Sequence, residues 1–197
     1  MTRLAVDDPE LVTALVYLDA AQDWAFLADD LDLTEQPIPP DPTDDQLASP
    51  QGFAGYQAWI CGAESYPEAE VRACYSFAED GALQGPITPG GIFTALAAGA
   101  AEQSPPYEAL TVPALAIYAV ADVAEDMFPW LTPGSPEQDQ ADSFLPKAQA
   151  SFASVRASFS MKAPQAIVVE LHGAPHYVFL AKPDEVEDAI RSFLATI

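Results

Sequence analysis

The sequence predicts an α/β fold, and two kinds of segment predict it. Three short runs, residues 14–18 (ALVYL), 114–118 (ALAIY) and 166–171 (AIVVEL), are near-continuously apolar rather than alternating. That pattern belongs to parallel strands covered on both faces. Helical stripes follow two of them. Over residues 138–159, Phe144, Ala148, Phe152, Val155 and Phe159 recur at helical spacing, with Pro146 expected to interrupt or kink the helix. Over residues 183–194, Val186, Ile190, Phe193 and Leu194 form one stripe, and Pro183, Asp184 and Glu185 suit a first turn. Strands alternating with helices argue for a parallel sheet with helices packed on it.

The expected organisation is a first core strand in residues 1–21, an insertion over residues 22–112 and a C-terminal core over residues 113–197. The insertion differs in character from what flanks it. Its Pro37-Ile38-Pro39-Pro40-Asp41-Pro42 run and the acids Asp29, Asp30, Asp32, Asp44 and Asp45 suit loops rather than regular core elements. Short helices are expected over residues 53–61 and 91–101. An excursion of this length inside one sheet is usually functional, and a lid over a binding site is the ordinary form.

With 197 residues, half of them hydrophobic, the chain can fill one core. Against 7 Lys and Arg stand 30 Asp and Glu, a formal charge of -23. Such a surface repels a phosphate backbone, so neither a nucleic acid nor an anionic membrane is expected as a partner. Cys61 and Cys74 have no C-x-x-C spacing and no basic neighbour that would activate a thiol. No apolar run approaches the roughly 20 residues of a membrane span, and residues 1–10 carry Asp7, Asp8 and Pro9 where a signal peptide would be apolar. A soluble, cytoplasmic protein is the expectation.

In an open parallel sheet, ligands bind beyond the carboxyl ends of the strands. Asp122 follows the second run and His176 the third. A carboxylate and an imidazole on neighbouring loops are what activates a nucleophile: the imidazole takes the proton, and the carboxylate fixes its tautomer. Taken singly, a post-strand Asp is more often a turn residue and a lone His a hydrogen-bonded structural one. Asp19 and Asp23 lie beyond the first run. His172 lies four residues before His176 and could support it, but the two histidines lack a carboxylate ligand pattern, so no metal and no cofactor are expected. Trp24, Tyr56, Trp59, Phe128 and Trp130 suit an apolar substrate pocket and ordinary packing equally well.

The run Gly173-Ala174-Pro175-His176-Tyr177-Val178-Phe179-Leu180, followed by Lys182-Pro183-Asp184-Glu185-Val186 and a helix ending Ser192-Phe193-Leu194, resembles the histidine loop and last helix of α/β-hydrolases. Val112-Pro113-Ala114-Leu115-Ala116-Ile117-Tyr118, leading to Asp122, is similar to that superfamily's penultimate strand and acid loop. Residues 9–21 resemble the strand that follows the nucleophile helix, and the long insertion stands where those enzymes place a cap. The resemblance implies a partial α/β-hydrolase sheet of about three parallel strands with a loop-rich and helical cap, Asp122 as triad acid, His176 as triad base, and a small-molecule ester, amide or related bond as target. Some hydrolases of similar fold carry the acid after the first of these strands, which ranks Asp19 and Asp23 second as the acid.

The nucleophile elbow, G-x-S-x-G, occurs nowhere in the sequence. The expectation is therefore a fragment or shortened form of a serine hydrolase, with little catalysis by this chain alone. The competing expectations are a non-catalytic binding or assembly module and one half of a split hydrolase. In either case the first strand would offer an open edge to a second copy or a complementing chain.

Overall fold

The computed structural model describes residues 1–197, the side chain of Ala28 apart. Along the chain come α1 (Thr2–Asp7), β1 (Leu15–Leu18), α2 (Trp24–Asp30), α3 (Asp44–Leu47), α4 (Pro50–Cys61), α5 (Glu68–Cys74), β2 (Tyr75–Phe77), β3 (Leu83–Pro86), α6 (Gly90–Glu102), β4 (Ala114–Val120), α7 (Ala124–Met127), α8 (Pro136–Lys162), β5 (Ile167–His172), α9 (Val178–Ala181) and α10 (Pro183–Leu194). β1, β4 and β5 form a parallel sheet in the order β1-β4-β5. All three expected strands are present, and so are the helices expected over residues 53–61, 91–101 and 183–194.

Only the central strand is buried as a doubly covered strand should be. Along β4, Ala114 to Tyr118 are all buried. Successive side chains of a strand point to opposite faces. Ala114, Ala116 and Tyr118 accordingly pack with Leu15, Tyr17, Phe159 and Ala163, whereas Leu115 and Ile117 pack with Ala174, Val178, Val186 and Phe193. Thus α8 covers one face, and α9 and α10 cover the other. β5 reads as a covered strand in sequence, but no residue of it is fully buried, because it ends the sheet and has a neighbour on one side only.

Two further elements depart from expectation. α8 runs unbroken through Pro146: packing of Ala141, Phe144 and Ala148 against Phe128 and Trp130 outweighs the backbone bond that proline forfeits. The segment between β1 and β4 also contains an antiparallel pair, β2 with β3, beside a small core of Phe53, Ala54, Tyr56 and Val71. That hairpin carries no alternating apolar pattern strong enough to announce it. Both cysteines are free; Cys74 is exposed, and burial pushes the Cys61 thiol up to about 11. No helix among the described residues is long and apolar enough to cross a membrane.

Candidate active site

The carboxyl ends of β1, β4 and β5 lie side by side, which brings the residues beyond them to one rim. Asp19 follows β1 directly. Its backbone is left-handed, with φ of 47°, a conformation Asp adopts more readily than most residues. Three bonds tie the turn to β4, and a fourth ties it to Tyr107, upstream of that strand. Asp19 N–H donates to the Ile117 carbonyl at 2.7 Å, and its Oδ1 accepts from Ala119 N–H at 3.1 Å. Tyr118 Oη donates to the Ala21 carbonyl at 2.8 Å, and Tyr107 Oη to the Gln22 carbonyl at 3.2 Å. Burial pushes both tyrosine hydroxyls well above their usual range, so they stay protonated and keep donating.

His176 reaches the same place from β5. His172 is the last residue of that strand and sits in register with Val120. Gly173 then turns with φ of 60° and donates its N–H to the Val120 carbonyl. Past that turn, His176 Nδ1 meets Asp19 Oδ2 at 2.7 Å. An ionised carboxylate only accepts, so Nδ1 carries the proton and Nε2 is left with a free lone pair. Asp19 is 9% exposed, while the imidazole is open to its surroundings.

The acid expected for His176 was Asp122, and here the structure differs. Asp122 Oδ1 bonds His172 Nδ1 at 2.9 Å, and its own backbone N–H donates to Asp126 Oδ2. The reason is the register. Asp122 lies just past the β4 end, beside the last residue of β5, and the turn at Gly173 carries His176 onward to the β1 side. His172 therefore supports Asp122 and not His176. Asp23, the other alternative acid, is occupied as a helix cap, accepting from Phe26 N–H and Ser104 Oγ.

Both pairs border a cavity of about 660 Å³, within the range of small-molecule sites. Its walls are mostly apolar, and Trp24, Phe128, Phe144 and Phe152 are their aromatic members. Of the five aromatic residues singled out from the sequence, Trp24 and Phe128 thus reach the cavity. Tyr56 donates instead to the Pro40 carbonyl, and Trp130 packs in the core beneath. Phe144 and Phe152 show in sequence only as members of the α8 stripe. No Ser, Thr or Cys lines the cavity among the described residues.

No family model matches the sequence, and no curated protein matches it. Among solved structures, an E-2-(acetamidomethylene)succinate hydrolase is similar over 98% of this chain and 62% of its own, with a TM-score of 0.58 and 20% identity. A probable hydrolytic enzyme from Pseudomonas aeruginosa matches over 98% of this chain and 59% of its own, with a TM-score of 0.48 and 20% identity. The chain spans about three fifths of the length of the solved structures it matches. With its parallel β1-β4-β5 sheet, flanking helices and rim of post-strand loops, the chain has the fold of part of an α/β-hydrolase.

Proposed function

We propose that this chain carries the base and the orienting acid of a hydrolase that cleaves an ester, amide or related bond in a small molecule. His176 is the base and Asp19 the acid. The observation that carries the reading is the 2.7 Å bond between His176 Nδ1 and Asp19 Oδ2 on the rim of an apolar cavity. Nε2 takes the proton of the nucleophile as its oxygen bonds to the substrate carbonyl carbon. The same proton then passes to the leaving oxygen or nitrogen as the scissile bond breaks, and Asp19 stays ionised throughout. In the complete relay the nucleophile is a serine hydroxyl from outside these 197 residues, and for the chain alone a water takes its place. Residues 22–112 act as the lid, through Trp24, Leu33 and Gln36 on the cavity wall.

The chain should therefore hydrolyse p-nitrophenyl butyrate slowly, within the roughly 10²–10⁴-fold that a positioned base contributes. His176→Ala should return the rate to that of buffer, and Asp122→Ala should keep most of it. Turnover indifferent to His176, no turnover above buffer, or a loss on Asp122→Ala equal to that on His176→Ala would each overturn the assignment.

One observation favours completion by another strand. β1 pairs with β4 alone, so its outer edge presents open N–H and C=O groups. Self-association through this edge is the expected behaviour of the isolated chain. Sedimentation velocity should show a concentration-dependent dimer, and Val16→Lys should shift it towards monomer. A dilute monomer with well-protected β1 amides in hydrogen exchange rules the edge out.

A further inference from the structure

One residue of the cavity wall carries a buried polar atom that has no hydrogen-bond partner and that the hydrolytic reading does not use. Among the described residues, two buried side-chain atoms lack a hydrogen-bond partner, Gln22 Oε1 and Gln138 Oε1. Only Gln22 lines the cavity, and it is 7% exposed. Its orientation follows from its neighbour. Nε2 faces Asp19 Oδ1 at 3.5 Å, and exchanging the amide's oxygen and nitrogen would set two acceptors against each other. A buried carbonyl without a donor is costly to maintain, and such a group calls for an explanation. Oε1 is buried in this structure; the terminal amide torsion is broad and the long bond to Asp19 restrains it weakly, so receiving a ligand there requires the amide to rotate towards the lumen.

The charges around the cavity narrow what could supply that donor. Asp19 is paired with His176, Asp122 with His172, and Arg156 with Glu170 at 2.9 Å. Arg156 is the lining residue with a permanent positive charge, and Glu170 offsets it. An anionic ligand would meet no uncompensated cation on this wall and would lose its hydration among aromatic side chains. A neutral ligand with an apolar body loses little, and an N–H on it satisfies Gln22.

We propose that the site takes a neutral secondary amide with an apolar substituent, whose N–H is received by Gln22 Oε1 beside His176. The proposal rests on the reading of His176 and Asp19 as a hydrolytic pair, and it makes Gln22 a specificity-determining residue. Binding tests it without turnover. Isothermal titration of the chain with N-benzylacetamide and with benzyl acetate, which differ at the N–H, should show the amide about tenfold tighter. Benzylsuccinate, a dianion, should bind more weakly than either. Gln22→Leu should erase the preference for amide over ester. Equal affinity for amide and ester in the unaltered chain, no saturable binding of the amide, or benzylsuccinate binding as tightly as the amide overturns the proposal, and none of these requires Gln22→Leu to fold. If the preference holds while ester turnover ignores His176, the hydrolytic reading fails alone. If His176 governs turnover but the preference is missing, the amide assignment fails alone.

Discussion

Asp19→Asn is expected to bring ester hydrolysis down to the level of His176→Ala while leaving the fold intact. Asparagine keeps the acceptor oxygen that receives Ala119 N–H and tolerates the left-handed backbone at this position. What changes is the proton on the imidazole. A side-chain NH2 facing Nδ1 can only donate, so Nδ1 becomes the acceptor and Nε2 holds the hydrogen. An imidazole in that tautomer has no lone pair with which to take a proton from the nucleophile. In a serine protease the equivalent exchange costs about 10⁴ in rate; here the loss is capped by what the base contributes, about 10²–10⁴ over buffer. Rates on p-nitrophenyl butyrate for the two variants, with ring ¹⁵N shifts to report the tautomer, check both halves of the argument. An unchanged rate would show that the 2.7 Å pair is structural.

Why Asp122 is the more visible acid in sequence is instructive. Asp19 and Asp122 both follow an apolar run, so local pattern gives them equal standing, and only the resemblance of residues 112–122 to a hydrolase acid loop ranks Asp122 first. Strand order favours the wrong one, because β4, which precedes Asp122, is the direct neighbour of β5, and β1, which precedes Asp19, is not. The decision is made by the turn at Gly173, which hands His172 to Asp122 and His176 to Asp19. One glycine between two histidines is a weak signal for a three-dimensional swap. The loop that carries Asp19 is held by buried tyrosines: Tyr118 donates its hydroxyl to the backbone of residue 21 and Tyr107 to that of residue 22. Nothing in a one-dimensional pattern shows where such hydroxyls point.

The sheet itself was far more legible. A strand of ALAIY composition can satisfy its side chains only between two covers, and β4 is placed accordingly. For β5 the same rule overstates burial, since AIVVEL records the strand's apolar content but not its position at the end of the sheet. Pro146 illustrates the opposite error, in which a local rule was strong but tertiary contacts on either side of it were stronger. The β2–β3 hairpin escaped because Leu83-Gln84-Gly85-Pro86 has glycine and proline where strand patterns require branched residues.

Phe159→Ala is expected to have the largest effect on stability, about 3–5 kcal/mol, the usual cost of emptying a buried aromatic site. Phe159 is 1% exposed and is the point at which α8 grips the sheet. Its ring meets Tyr107 edge-on at 4.8 Å, Tyr17 at 5.9 Å and Tyr118 at 6.2 Å, and each such pair adds about 0.5–1.5 kcal/mol beyond area alone. Against a total stability of about 5–15 kcal/mol for a domain, that loss is severe. Phe93, on α6, is 59% exposed, and Phe93→Ala should stay within about 0.5 kcal/mol. Urea midpoints at constant slope measure both. The consequence reaches the site, because two of the three tyrosines that Phe159 supports are those whose hydroxyls hold residues 21 and 22 in place. Ester turnover by folded Phe159→Ala, assayed well below its urea midpoint, should fall as well, since Asp19 loses the backing that keeps its carboxylate against His176. A variant that loses less than about 1 kcal/mol would mean that α8 does not pack on β4 through this ring, and the anchoring of the acid loop would need another source.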